Sequence, residues 1–137
     1  MVLRLQQLSR LKKLHKKLLT NQTLNRTLKT LEIHQRDKVW EKAEKDGNYI
    51  MKTLRTELKN ISYAEDINGL GMEIGVRLTN GLKNFNMFKF IEETRSKGLH
   101  LANADSFSFQ LMPPLTIERI VLDKGLEIFI KEIKSIK

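Results

Sequence analysis

The side chains that could do chemistry in this chain are few in kind. Among 137 residues there are 25 lysines and arginines, 16 aspartates and glutamates, three histidines and no cysteine. The missing thiol excludes disulfides, thiolate zinc sites and a cysteine nucleophile, and it suits a reducing compartment. His15, His34 and His100 stand singly without ligand-spaced partners, so they read as surface or capping residues and no metal site is expected. A lysine could form a Schiff base with a carbonyl compound, but only when burial or a cationic neighbour lowers its pKa. The lysines here fall on the solvent faces of predicted helices, where an ammonium stays protonated. No catalytic or cofactor-holding residue is therefore assigned. Trp40, Phe88 and Phe90 are expected in the core. They do not interleave with the basic run, which leaves a single-strand binding platform without support.

The net charge of +9 is concentrated at one end. Residues 1–30 hold eight basic side chains and no acid, the first being Glu32, whereas 31–137 hold 17 basic and 16 acidic residues. A basic arm can meet polyanions, but the body is close to neutral. No apolar run approaches the roughly 18 residues of a membrane helix. Arg4, Gln6, Gln7 and Arg10 interrupt any secretory core, so a cytoplasmic location is expected, with organelle targeting by the arm as the alternative.

The elements that must position these groups follow from periodicity. Leu5, Leu8, Leu11, Leu14 and Leu18 predict an amphipathic helix over 2–19, so residues 1–22 read as a helical arm and 23–137 as the body. The arm's stripe could pack on the body or on a second copy. Its basic face leaves nucleic-acid and membrane contacts open. Leu24, Leu28 and Leu31 predict a second helix with Thr23 as a possible cap, and Asp37 a cap for a third. In that third helix Val39, Ala43, Gly47, Ile50, Leu54 and Leu58 form one stripe, with Gly47 marking a close approach. Met72, Ile74, Val76 and Leu78 alternate as a strand, entered tightly through Gly69 and Gly71. A helix over 87–97 stops at Gly98, with Met87, Phe90, Ile91 and Thr94 inward. Strands are predicted at 99–101 and 107–112, the latter ended by Pro113 and Pro114. A final helix capped by Thr116 reaches about 133, with Ile120, Leu122, Leu126, Phe129, Ile130 and Ile133 available to the core. The expected class is α+β: a small three-stranded, largely antiparallel sheet covered by helices.

Four stretches in this order carry a resemblance. "TLKTLEIHQRDKVWEKAEKDGNYIMKTLRTEL", "DINGLGMEIGVRL", "FIEETRSKGLHL" and "FQLMPPLTIERIVLDKGLEIFIKEI" together resemble the C-terminal small domain of class III aminotransferases, the ornithine, acetylornithine and 4-aminobutyrate group. The resemblance covers about 23–137. It implies a pyridoxal phosphate enzyme that moves amino groups between an amine or amino acid and an oxo acid. It also implies that the cofactor lysine and the rest of the active site lie in a large domain upstream, so that this chain alone holds no cofactor. Its partner would be that large domain or a second copy of the chain. Two positions depart from the family's usual pattern. Asn68 stands where Arg-Gly-x-Gly has arginine. Gln110 stands where many members have an arginine that handles an acidic substrate or its acid partner; Gln110 is thus the one substrate-binding candidate, and a neutral one. Gly69, Gly71, Pro113 and Pro114 are implied as structural. The alternative is a non-catalytic remnant or binding protein that self-associates through its leucine-striped arm.

Overall fold

A computed structural model describes residues 21–136. These divide into two compact units, one ending at Lys38 and the other starting at Val39. The helix predicted over 2–19 lies outside the described residues.

The first unit contributes helix α1 (Asn21–Arg36). Thr23, expected to cap it, lies inside it, and its carbonyl accepts a hydrogen bond from Thr27 Oγ1 at 3.0 Å. Arg36 clamps Asp37 through two N–H···O contacts of 2.6 and 2.8 Å. This bond holds the Asp37 carboxyl below its usual range and raises the guanidinium, but the pair is fully exposed and contributes little. Lys38 adopts the left-handed region at φ 48°.

The second unit runs α2 (Val39–Glu57), β1 (Ala64–Leu70), β2 (Glu73–Leu78), α3 (Met87–Ser96), β3 (Ala102–Asp105), β4 (Ser108–Leu111) and α4 (Arg119–Ser135). The α+β class is as expected, but the sheet has four strands rather than three, in the order β1-β2-β4-β3 with every neighbour antiparallel. The added strand is β1, and the strand expected at 99–101 lies at Ala102–Asp105.

Period-two patterning aims Ile74, Val76 and Leu78 of β2 and Phe109 and Leu111 of β4 to one side, and all are buried. The helical stripes meet them there: Ile50 and Leu54 of α2, Met87, Phe90, Ile91 and Thr94 of α3, and Leu122, Leu126, Phe129 and Ile133 of α4. Burial of each large side chain is worth about 1.5–3 kcal/mol. Phe109 is the hub, with ring centroids 4.8 Å from Phe90 and 5.5 Å from Phe129. Trp40 and Phe88, expected inside, are exposed, as is Ile120. Trp40 and Phe88 each directly follow a buried stripe residue, Val39 and Met87, so the helix carries them off the core face.

The ends of the helices explain their lengths. Asn86 caps α3 by accepting from the Lys89 N–H at 3.0 Å. Gly98 closes it at φ +93°, its N–H donating to Arg95 and that of Leu99 to Thr94, a Schellman ending. Thr116 does not start α4. A turn closed by Ile117 N–H to the Pro114 carbonyl intervenes, and the helix begins at Arg119. At its far end the Tyr63 hydroxyl donates to the carbonyls of Ile133 and Ile136, at 2.8 and 3.0 Å, and burial pushes its pKa up. Among the described residues no helix is long and apolar enough to cross a membrane.

Candidate functional site

Within the unit that starts at Val39, the sheet turns one face to the described helices and leaves the other open. Three cross-strand rows occupy the open face. The central row is Asn68, Gly75, Gln110 and Ala102, directly paired across the four strands. Gln110 is half-buried there, and Asn68 is exposed. The Asn68 side chain lies over Gly75, since a Cβ at Gly75 would sit 3.1 Å from Asn68 Oδ1. Its amide donates to Asp66 Oδ2 at 2.6 Å. Gly75 thus leaves room for a carboxamide to lie flat on the sheet.

A charged row borders it on one side: Asp66, Arg77, Ser108 and Asp105. Arg77 pairs with Glu65 at 3.5 Å and donates to Asn80 at 3.3 Å. Asp105 accepts from the Phe107 N–H at 2.7 Å and from Ser108 Oγ at 3.0 Å. The backbone bond from Phe107 is the main cause of its lowered pKa. On the other side stand Leu70 and Glu73, paired across the β1–β2 hairpin. Continuing the register one residue past Leu111 places Met112 beside them. Leu70 is 90% exposed and Met112 55%.

The residues implied as structural frame this face. Gly71 sits in the two-residue turn between β1 and β2 at φ +58°, the position where a type II′ turn takes glycine. Gly69 pairs with Ile74, and a Cβ there would lie 2.4 Å from the Glu73 carbonyl. The two glycines therefore end one strand and turn into the next, whereas a loop entering a single strand was expected. Pro113 and Pro114 follow the last residues of β4.

A second polar constellation was not anticipated. Asp46 is buried on α2 and takes Lys42 on its own helix and Arg119 Nη2 from the start of α4, the latter at 3.1 Å. Lys42 also reaches the Ile117 carbonyl at 2.8 Å, and Arg119 stacks 3.7 Å above the Tyr49 ring. Its signal was an acid next to the Val39–Ala43–Gly47 stripe. Glu132, buried on α4 and paired with Lys97 at 2.6 Å, likewise falls three residues after Phe129. Both clusters tie helices together, and neither opens onto the sheet face. Between α2 and α4 lies an open groove of about 550 Å³, floored by Tyr49, Leu126 and Ile130.

The described lysines are solvated. Every described lysine is exposed except the half-buried Lys42, which is already committed to Asp46 and Ile117. No described lysine is thus desolvated as a Schiff-base amine requires. His100 is exposed and accepts a long 3.4 Å contact from Arg95, and among the described residues no group of acids and histidines could hold a metal.

The class-III aminotransferase family profile matches residues 24–133. The chain belongs to that family. The ornithine aminotransferase of Plasmodium yoelii yoelii is 30% identical over 98 residues, which cover 72% of this chain and 23% of that enzyme. A leucine/methionine racemase of Thermococcus litoralis is 32% identical over 101 residues, which cover 70% of this chain and 23% of the relative. The solved ornithine aminotransferase of Plasmodium yoelii superposes with a TM-score of 0.71 at 28% identity, over 78% of this chain and 28% of that one. The chain spans about a quarter of the length of the curated relatives it matches.

Proposed function

We propose that this chain is the C-terminal small domain of a class III transaminase, which requires pyridoxal phosphate and moves amino groups between an amine or amino acid and an oxo acid. Catalysis then belongs to the complete enzyme, and a cytoplasmic setting belongs to the same reading. The observation that carries it is a family match over nearly the whole described body, set beside described lysines of which none is buried. Within the complete enzyme the open sheet face would supply Gln110 to the substrate side. A neutral carboxamide there can accept and donate hydrogen bonds but cannot make the bidentate charged pair an arginine makes. That favours an amine or diamine over a substrate held by its carboxylate.

The test is spectroscopic. Purified chain is incubated with pyridoxal phosphate, and absorbance is followed before and after an amino acid is added. The expected result at each step is the spectrum of the same mixture without protein. A lysine-dependent band that an amino donor discharges would overturn the reading, because this chain would then hold a complete cofactor site.

A further inference from the structure

We infer that the Asn80–Gly81 turn is a site of spontaneous covalent modification, where the main chain closes on the Asn80 carboxamide and converts it to aspartate or isoaspartate. The reaction is independent of the transaminase reading and needs no reagent but water. The Gly81 nitrogen attacks Cγ of Asn80 and forms a C–N bond. The bond from Cγ to Nδ2 breaks, and Nδ2 leaves with the displaced proton as ammonia. The product is a five-membered succinimide ring. Water then opens either of its carbonyls. One cleavage leaves aspartate, and the other leaves the main chain running through the side-chain carboxyl as isoaspartate.

The attacking nitrogen must be unshielded, so the residue after the asparagine governs the rate. The sequence holds nine asparagines, and of these Asn68 and Asn80 alone precede glycine. The two dipeptides are chemically identical, and the fold sets them apart. Asn68–Gly69 lies within β1, with Asn68 paired to Gly75 and Gly69 to Ile74. The Asn68 carboxamide lies over Gly75, and Nδ2, the atom that must leave, is held by Asp66 Oδ2 at 2.6 Å. Gly69 is pressed against β2, where even a Cβ would meet the Glu73 carbonyl at 2.4 Å. Cyclisation swings the side chain back over its own following peptide, and a paired, extended strand must give up its ladder to allow that.

Asn80–Gly81 follows β2 on the way to α3 and escapes these restraints. Both residues are exposed, and a Cβ on Gly81 would meet nothing within 4 Å. Gly81 sits at φ +75°, from which glycine moves to other conformations at little steric cost. Among the described residues, the Gly81 N–H donates no backbone hydrogen bond. Arg77 Nη2 donates to Asn80 Oδ1 at 3.3 Å. That contact draws electrons from Cγ, where the nitrogen attacks, and supports the negative charge that grows on the oxygen as the new bond forms. The product alters the turn. A carboxylate stands beside Arg77, which already pairs with Glu65 at 3.5 Å, and the chain loses one unit of net positive charge. In the isoaspartate form the main chain between β2 and α3 also gains a methylene.

The experiment uses the full chain, incubated in mildly alkaline buffer below its melting transition and digested with trypsin at intervals. Peptides 78–83 and 60–77 separate the two dipeptides. Mass spectrometry measures exchange of the amide NH2 for OH, with fragment ions locating it, and methyl transfer by a protein isoaspartyl methyltransferase measures isoaspartate. A sample unfolded in urea and the variant Asn80→Ser run in parallel. We expect conversion at Asn80 to be at least ~10-fold faster than at Asn68 in the folded chain, and the two rates to fall within about twofold of each other in urea. Asn80→Ser should remove most methyl acceptance by the folded chain. Absence of conversion at Asn80, or equal rates at the two sites in the folded chain, would overturn the inference. So would a rate ratio that persists in urea, because local sequence and not the fold would then make the difference. Undiminished methyl acceptance in Asn80→Ser would place the reaction elsewhere and refute the assignment as well.

Discussion

Gly47→Ala should destabilise the protein, although alanine is the better helix former. On α2 the exchange alone favours folding by about 1 kcal/mol. The structure opposes it. A Cβ on Gly47 would stand 1.9 Å from the Gly71 carbonyl oxygen, 2.5 Å from its carbon and 2.9 Å from its Cα. Ordinary contact begins at 3.4 Å, so helix and hairpin must part by about 1.5 Å. Both surfaces are backbone, and no flexible side chain can swing away. Overpacking of this kind costs about 1–3 kcal/mol, and a backbone-to-backbone clash belongs at the upper end. The net is a loss of about 2 kcal/mol, which lowers the melting temperature of a unit this size by roughly 10 °C. Gly125→Ala is the matched control. It also lies in a helix, but its nearest neighbour would be Leu99 Cδ1 at 3.6 Å, an ordinary contact, so it should stabilise by up to about 1 kcal/mol. Urea titrations of the two variants decide the matter by sign. If Gly47→Ala matches or exceeds the parent, the close approach of α2 to the hairpin turn is wrong.

Three further perturbations test other parts of the fold. Asp46→Ala removes the carboxylate shared by Lys42 and Arg119, and because both cations are more than two-fifths exposed the expected loss is about 1–2 kcal/mol by denaturant titration, not the larger cost of a fully buried pair. Gly71→Ala has open space but a φ of +58°, so it should cost about 1–2 kcal/mol through backbone strain alone, with Gly71→Asn losing less in thermal melting. Asp105 has a folded pKa below its unfolded one; its contribution is therefore present above the ordinary carboxylate range and lost as pH falls through and below it, and Asp105→Asn should flatten that acid limb of stability measured by melting against pH.

Legibility followed burial. The α2 stripe of Val39, Gly47, Ile50, Leu54 and Leu58 is buried as its spacing implied, with Ala43 partly so, and the inward set of α3 matches residue for residue. These segments pack one face against a core, which imposes a period. The two missed strand positions lack that constraint. In β1 most side chains are exposed, with Ile67 the inward residue of its middle and Leu70 pointing out, so no alternation was visible. In β3 the sequence Ala-Asn-Ala-Asp shows no apolar side chain larger than alanine, while Leu99 and Leu101 just before it attracted the prediction. Leu99 instead closes α3 through its N–H to Thr94. The start of α4 was misplaced because Thr116 lies inside a proline turn, Pro114 to Ile117, that precedes the helix. At the open face, Gln110 was found through a family pattern and not through physics, since a single glutamine on a strand carries no signal of its own. The rows it joins depend on register between strands distant in sequence, which no local pattern encodes.

The irregular pairings at the two margins of the sheet have a consequence for how anything can bind it. Register shifts occur between Ala64 and Asp66 on β1 and between Asn103 and Asp105 on β3, and these are the two outer strands. Each shift bends the outer ribbon and sets an acid, Glu65 or Asp105, at or beside the kink. A neighbouring chain seeking to lengthen the sheet by hydrogen-bonding alongside would meet a broken row of amides and a negative charge. Growth sideways into fibrous stacks is blocked while approach from above stays open, so a unit that leaves leucine and methionine in water is still guarded against indiscriminate edge-on assembly.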